Sequence, residues 1–178
     1  LQTQKNQLAR QLTEKRLLLL ETKNSESVYQ QLLAKAVAEL AAIQGIIAGR
    51  GTESKVGDVS PGTKIASIIP SASACSAGAH LHFEVAKDNS HLNPFNLLST
   101  KSLEWDNSDP PQNGTGSWDW PVNDPIRITQ GYGQTSYSSR YTGNIHTGID
   151  MTSTSSEVKA IKTGTLYRGG ISCGGGTL

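Results

Sequence analysis

The chain has 178 residues, 35% of them hydrophobic, with 16 basic and 15 acidic side chains. That is room for one modest globular domain plus an extension, and it is too apolar and too balanced in charge for a disordered chain. A net charge of +1 excludes an obvious polyanion binder, so no nucleic-acid partner is expected. The longest purely aliphatic run, Leu17 to Leu20, is far too short to span a bilayer. Leu1 stands where a Met would start a chain, and no charged-then-apolar leader precedes it, which reads as a trimmed N-terminus.

Composition is segregated along the chain. All seven Pro, all four His and all three Trp lie beyond residue 60. Residues 1–48 are rich in Leu, Gln, Lys, Glu and Ala, which favour helix. Ten of fourteen positions spaced alternately four and three apart, from Leu1 to Ile47, are apolar. This predicts a long helix with a coiled-coil seam, about 70 Å long if unbroken at 1.5 Å per residue. The seam turns polar at Glu21 to Ser27, where a bend or helix–helix turn is expected. Such a helix serves either for self-association or protein partnership, or as a face packed on its own domain. Gly49-Arg50-Gly51 is the expected end.

From Thr52 the pattern is one of short strands and turns. Val56 to Val59 and Gly62 to Ile69 read as strand, turn and strand. In Leu81 to Ala86, Leu81, Phe83 and Val85 alternate with His82 and Glu84, predicting a half-buried strand. Residues 99–117, with Asp109-Pro110-Pro111 and Asn113-Gly114-Thr115-Gly116, read as an exposed linker. A second β segment, 118–178, follows, with strands at Ile126 to Thr129, Val158 to Ile161 and Thr165 to Arg168. It stops mid-pattern, which suggests further chain after Leu178. The expected fold is therefore α+β: a coiled-coil helix over 1–48, then a mainly antiparallel β domain built from 49–98 and 118–178.

His80 and His82, two apart on a strand, put both rings on one face. His146 and Asp150, four apart in a segment where Gly148 argues against helix, also share a face if extended. His nitrogen and carboxylate oxygen are ordinary zinc ligands. Three such ligands leave a fourth tetrahedral position open, the mark of a catalytic site. A water in that position would have its pKa drawn towards about 7, with the spare His as base or hydrogen-bond donor.

His80-Leu81-His82-Phe83-Glu84-Val85 resembles the H-L-H-F-E signature of the LytM/lysostaphin family of zinc endopeptidases. His146-Thr147-Gly148-Ile149-Asp150 resembles its H-x-G-x-D motif. Trp120-Pro121-Val122 leading to Gly131-Tyr132-Gly133 resembles the family's domain start, and Val158-Lys159-Ala160 with Gly164-Thr165-Leu166 its hairpin. Val56 to Val59 with Gly62 to Ala66 resembles the hairpin before H-L-H. The resemblance covers about 52–98 and 118–178. It implies a twisted antiparallel sheet with a groove over a zinc ion held by His82, His146 and Asp150, with His80 as the unligated catalytic histidine. The implied reaction is hydrolysis of peptide cross-links in bacterial peptidoglycan, outside the cytoplasm.

Two departures stand out. The family places H-x-G-x-D before H-x-H; here the order is reversed, as in a circular permutation or two half-domains side by side. The family's further catalytic His, in a Y-x-H-L context, has no counterpart. His91 is read as a surface residue near the 88–90 turn unless the chain folds back. Cys75 and Cys173 either form a disulfide, as extracytoplasmic location favours, or stay separate thiols. Tyr137 and Tyr141, in a Ser/Gly-rich loop, and Asn144 are candidate substrate contacts. The alternative function is an impaired LytM-type regulator that activates cell-wall amidases through its coiled coil.

Overall fold

The structure is a computed structural model. It describes residues 23, 25–28 and 30, and then 53–170 apart from 72–75, 77 and 89. At 172, 173, 176 and 177, and at Arg140 and Thr142, it describes the backbone only. Two compact units are distinguished, Leu1–Ala34 and Lys35–Leu178.

The α+β expectation is corrected. Among the described residues the chain is mostly β, and the α-helical residues are one short stretch: Lys23, Ser25–Val28 and Gln30. All six are exposed. They fall largely in the polar interruption where a bend was expected. A bond from Gln30 Nε2 to Glu26 Oε1, 2.7 Å, joins neighbouring turns. Leu, Lys, Gln and Glu composition is only a weak prior for helix, because most helical stability comes from burying an apolar face. The rest of the predicted 1–48 seam lies outside the described residues. No helix among the described residues is long and apolar enough to cross a membrane.

The centre of the second unit is a four-stranded sheet in the order β3-β8-β7-β6. These strands are β3 (Leu81–Phe83), β6 (Leu103–Trp105), β7 (Ile126–Gln130) and β8 (Ile149–Ser153). The β3–β8 and β7–β8 pairs are antiparallel, and β6–β7 is parallel. Alternation sets its faces. Ile126 and Ile128 of β7 and Ile149 and Met151 of β8 are fully buried. They meet Phe95, Leu98, Trp120 and Val122 in one core, with Leu81, Phe83, Leu103 and Trp105 packed at its margin. Arg127 between them is exposed and pairs with Asp106 at 2.9 Å.

Two further ladders join the two β segments directly. β1 (Ser54–Val59) pairs with β10 (Gly164–Arg168), and β2 (Lys64–Ser67) with β9 (Glu157–Lys159), both antiparallel. The hairpins expected within each half are thus replaced by ladders between halves. A β4–β5 hairpin (Val85–Lys87 with Ser90–Leu92) follows β3. At the C-terminal end, β11 (Ser172–Cys173) pairs with β12 (Gly176–Thr177).

The segment read as an exposed linker is held at both ends. It supplies β6, and its return leg lies parallel to 98–99 through bridges Leu98 to Trp118 and Ser99 to Gly116. A Cβ on Gly114 would stand 2.2 Å from Ser99 O, and one on Gly116 2.2 Å from Leu97 O. Those glycines allow two backbones to approach more closely than any side chain permits.

Candidate metal centre

The β3–β8 register sets His82 directly opposite Asp150. On β8, Ile149 and Met151 point to the core, so Asp150 between them points to the other face. His146 is fixed separately. It forms a two-way bridge with Gly133, N to O 2.9 Å in each direction. Its ring is 2% exposed and lies 3.4 Å, Nε2 to Oδ1, from Asp150. His82 Nδ1 is 2.7 Å from Asp150 Oδ1 and 3.2 Å from His146 Nε2. Two imidazole nitrogens and one carboxylate oxygen, from stretches more than sixty residues apart, therefore face one point. This His82, His146 and Asp150 cluster can hold a metal ion.

The surrounding hydrogen bonds fit that use. His146 Nδ1 donates to Gly131 O at 2.7 Å, which turns Nε2 towards the cluster, where the neutral ring would offer a metal its lone pair. Behind it Tyr141 stacks on the imidazole at 5.6 Å between centroids, and its hydroxyl donates to Gln130 Oε1 at 3.1 Å. On the other side His82 Nε2 is 3.1 Å from Glu84 Oε1. Thr147 donates its hydroxyl to the same Glu84 oxygen. Gly148 makes this possible: a Cβ there would lie 2.7 Å from Phe83 O and 2.8 Å from His82 Nε2.

With three acceptor atoms converging, a positive charge has to lie among them. Burial opposes charging the His82 ring, but hydrogen bonds to Asp150 and Glu84 and their negative charges outweigh it and push the pKa up to about 10. Burial likewise opposes ionising Asp150. The hydrogen bonds and charges of His146 and His82 prevail and hold its carboxyl well below the usual carboxylate range. Glu84 is lowered too, against burial, by His82, Thr147 and His91. Without a metal, a proton on His82 Nδ1 therefore occupies the place a cation would take.

His80 stands beside the cluster without completing it. Its Nε2 is 3.9 Å from Asp150 Oδ1. Its Nδ1 is 3.1 Å from Gly78 O and 3.2 Å from Ser76 Oγ. A cleft of about 200 Å³ opens against His80 and His82, its apolar wall formed by Ala66, Ile68, Ile69, Ala79, Leu81 and Val158.

The three aromatic and amide candidates separate. Tyr137 is exposed, as a substrate contact requires. Tyr141 is only 9% exposed and backs His146, so its expected substrate contact is corrected to a supporting place behind the cluster. Asn144 is exposed at a positive φ of 55°, with its backbone N–H bonded to Tyr141 O. The Cys75 to Cys173 pairing lies outside the described residues. His91 is corrected as well. The chain does fold back, turning at Asp88 (φ 52°), and brings His91 Nδ1 to 3.7 Å from Glu84 Oε2. Glu84, Thr147, Ser76 and the Gly131 carbonyl were not singled out from sequence. Period two after His80 and His82 marks Glu84, and adjacency to His146 marks Thr147; the carbonyl leaves no trace in residue type.

No protein-family model, no curated protein and no solved structure matches the chain.

Proposed function

We propose that the chain is a zinc-dependent endopeptidase of the LytM/lysostaphin type, acting outside the cytoplasm on the peptide cross-links of bacterial peptidoglycan. The observation that carries this reading is the meeting of His82, from the H-x-H motif, with His146 and Asp150, from the H-x-G-x-D motif, within 3.4 Å of one another. Two imidazoles and a carboxylate suit zinc, and three protein ligands are the number a hydrolytic zinc site uses. Zinc bound there would supply Lewis acidity towards a peptide carbonyl and a hydroxide nucleophile at neutral pH.

The rest falls to the chain's own groups. Gly78 O and Ser76 Oγ flank His80 Nδ1, and with its Nε2 at 3.9 Å from Asp150 Oδ1 His80 is the side chain that would take and return protons at the site. The apolar cleft beside it gives an extended peptide a place to lie with its scissile bond near His80. Tyr137, exposed in a loop, is a further candidate for peptide contact.

The test is incubation of the zinc-loaded chain with purified peptidoglycan. Release of soluble fragments with new amino groups is expected, stopped by a chelator. His80→Ala is expected to cut the rate about 10²- to 10⁴-fold while zinc stays bound. Bound zinc with no new amino groups in the wild type would refute the peptidase reading and favour a regulatory or wall-binding role.

A further inference from the structure

The metal centre, as read above, needs His82 to ligate through Nδ1, and something must choose that nitrogen. A neutral imidazole carries one proton, so a ligating Nδ1 requires the proton on Nε2 and an acceptor to hold it. His82 Nε2 is buried and makes no hydrogen bond of good geometry. Glu84 Oε1 stands 3.1 Å from it, within ion-pair range but off the line of an N–H, so a small turn of the carboxylate would supply the acceptor. We infer that Glu84 is a positioning residue for the metal: its carboxylate fixes His82 in the tautomer whose Nδ1 lone pair faces Asp150 and His146.

Three features make the arrangement specific. Glu84 follows His82 by two residues, in the break between β3 and β4, and its carboxylate comes to the same side as the His82 ring. Thr147 belongs to the other motif, next to His146, and its hydroxyl bonds the same Glu84 oxygen. The second Glu84 oxygen faces His91 Nδ1 at 3.7 Å, across the β4–β5 hairpin. The carboxylate is thus hydrogen-bonded by Thr147 and faced by two imidazoles at ion-pair distance, and Gly148 leaves the space in which it meets His82. His146 is treated in parallel, since Gly131 O fixes its Nδ1 proton and turns Nε2 inward. Both imidazoles are therefore oriented by acceptors outside the cation cage, the arrangement that tunes metal-bound histidines generally.

The inference rests on the metal-centre reading, and one set of measurements separates the two. Zinc affinity is measured by competition with a chromophoric chelator for wild type, Glu84→Ala, Glu84→Gln and Thr147→Val. Tautomers are read from imidazole ¹⁵N shifts of the zinc-loaded proteins. Glu84→Ala is expected to weaken zinc about 10- to 100-fold. Glu84→Gln, whose amide oxygen still accepts, is expected to recover part of that loss, and Thr147→Val to lose less than Glu84→Ala. In wild type, His82 is expected to show a protonated Nε2 and a metal-bound Nδ1. Wild-type affinity and the wild-type ¹⁵N pattern in Glu84→Ala and Glu84→Gln would overturn the role of Glu84 alone. Failure of wild type to bind zinc would overturn the metal centre and this role with it. Thr147→Val and Glu84→Gln preserve volume, so a folding defect confined to Glu84→Ala leaves the tautomer measurement decisive.

Discussion

Gly148 sits where no side chain fits. An added Cβ would approach Phe83 O, His82 Nε2 and Glu84 Cγ at 2.7, 2.8 and 2.9 Å, and two of those belong to backbone or to the candidate ligand itself. Gly148→Ala is expected to destabilise the metal-free protein by about 1–3 kcal/mol and to weaken zinc binding, read by urea denaturation and zinc titration; unchanged values in both would mean that His82 is not confined there. The proton at His82 gives a second handle. Because the folded His82 pKa is raised from 6.5 to about 10, its contribution to stability is complete below pH 6.5 and is lost as pH rises through about 10. Asp150 is lowered, so its contribution is present above its ordinary 3.8 and is lost as the solution becomes more acid. The metal-free protein is expected to be most stable between those ordinary values, and to melt progressively earlier above pH 6.5 in chelator. Zinc must displace the His82 proton, so its affinity is expected to rise about tenfold per pH unit between about pH 6.5 and about pH 8. A pH-independent affinity would place the metal elsewhere.

Strand β8 carries two tasks on alternate residues. Ile149 and Met151 close the core while Asp150 faces His82 and His146. Met151→Ala is expected to cost about 2–5 kcal/mol in denaturant unfolding, whereas Arg127→Ala, which removes a half-exposed pair with Asp106, is expected to cost at most about 1 kcal/mol. Equal losses would argue against the assigned faces. This alternation is also why part of the molecule was legible in sequence. Leu81 and Phe83, Ile126 and Ile128, and Ile149 and Met151 show the period of two directly, and with it the shared face of His80 and His82. Strand partners were not legible, since local pattern does not say whether β1 meets β2 or β10; tertiary burial decides that. His91 was hidden for a related reason. The turn at 88–90 was legible, but not that β5 would pair back on β4 and carry His91 to Glu84. Of the stretch carrying the N-terminal seam only Lys23, Ser25–Val28 and Gln30 are described, all helical and exposed; spacing reports what a helix would bury, and these mostly polar positions offer little to bury.

In the unit Lys35–Leu178, three ladders cross between the separated β segments: β1 with β10, β2 with β9, and β3 with β8. The reversed order of the two motifs is therefore no obstacle to one site, because the sheet joins them across the intervening chain. The ladders differ in cover. β7 and β8 lie on the core, whereas β1 and β10 are mostly exposed. Hydrogen exchange is expected to be slowest at 126–130 and 149–153 and much faster along 54–59 and 164–168; the reverse order would contradict the placement of the core. The most direct measurement is zinc stoichiometry by metal analysis after loading and exhaustive dialysis, for wild type, His82→Ala and His146→Ala. One zinc per chain in wild type, lost from both variants, is the expected result. Full zinc retained by either variant, or none in the wild type, would contradict a centre shared between the two stretches.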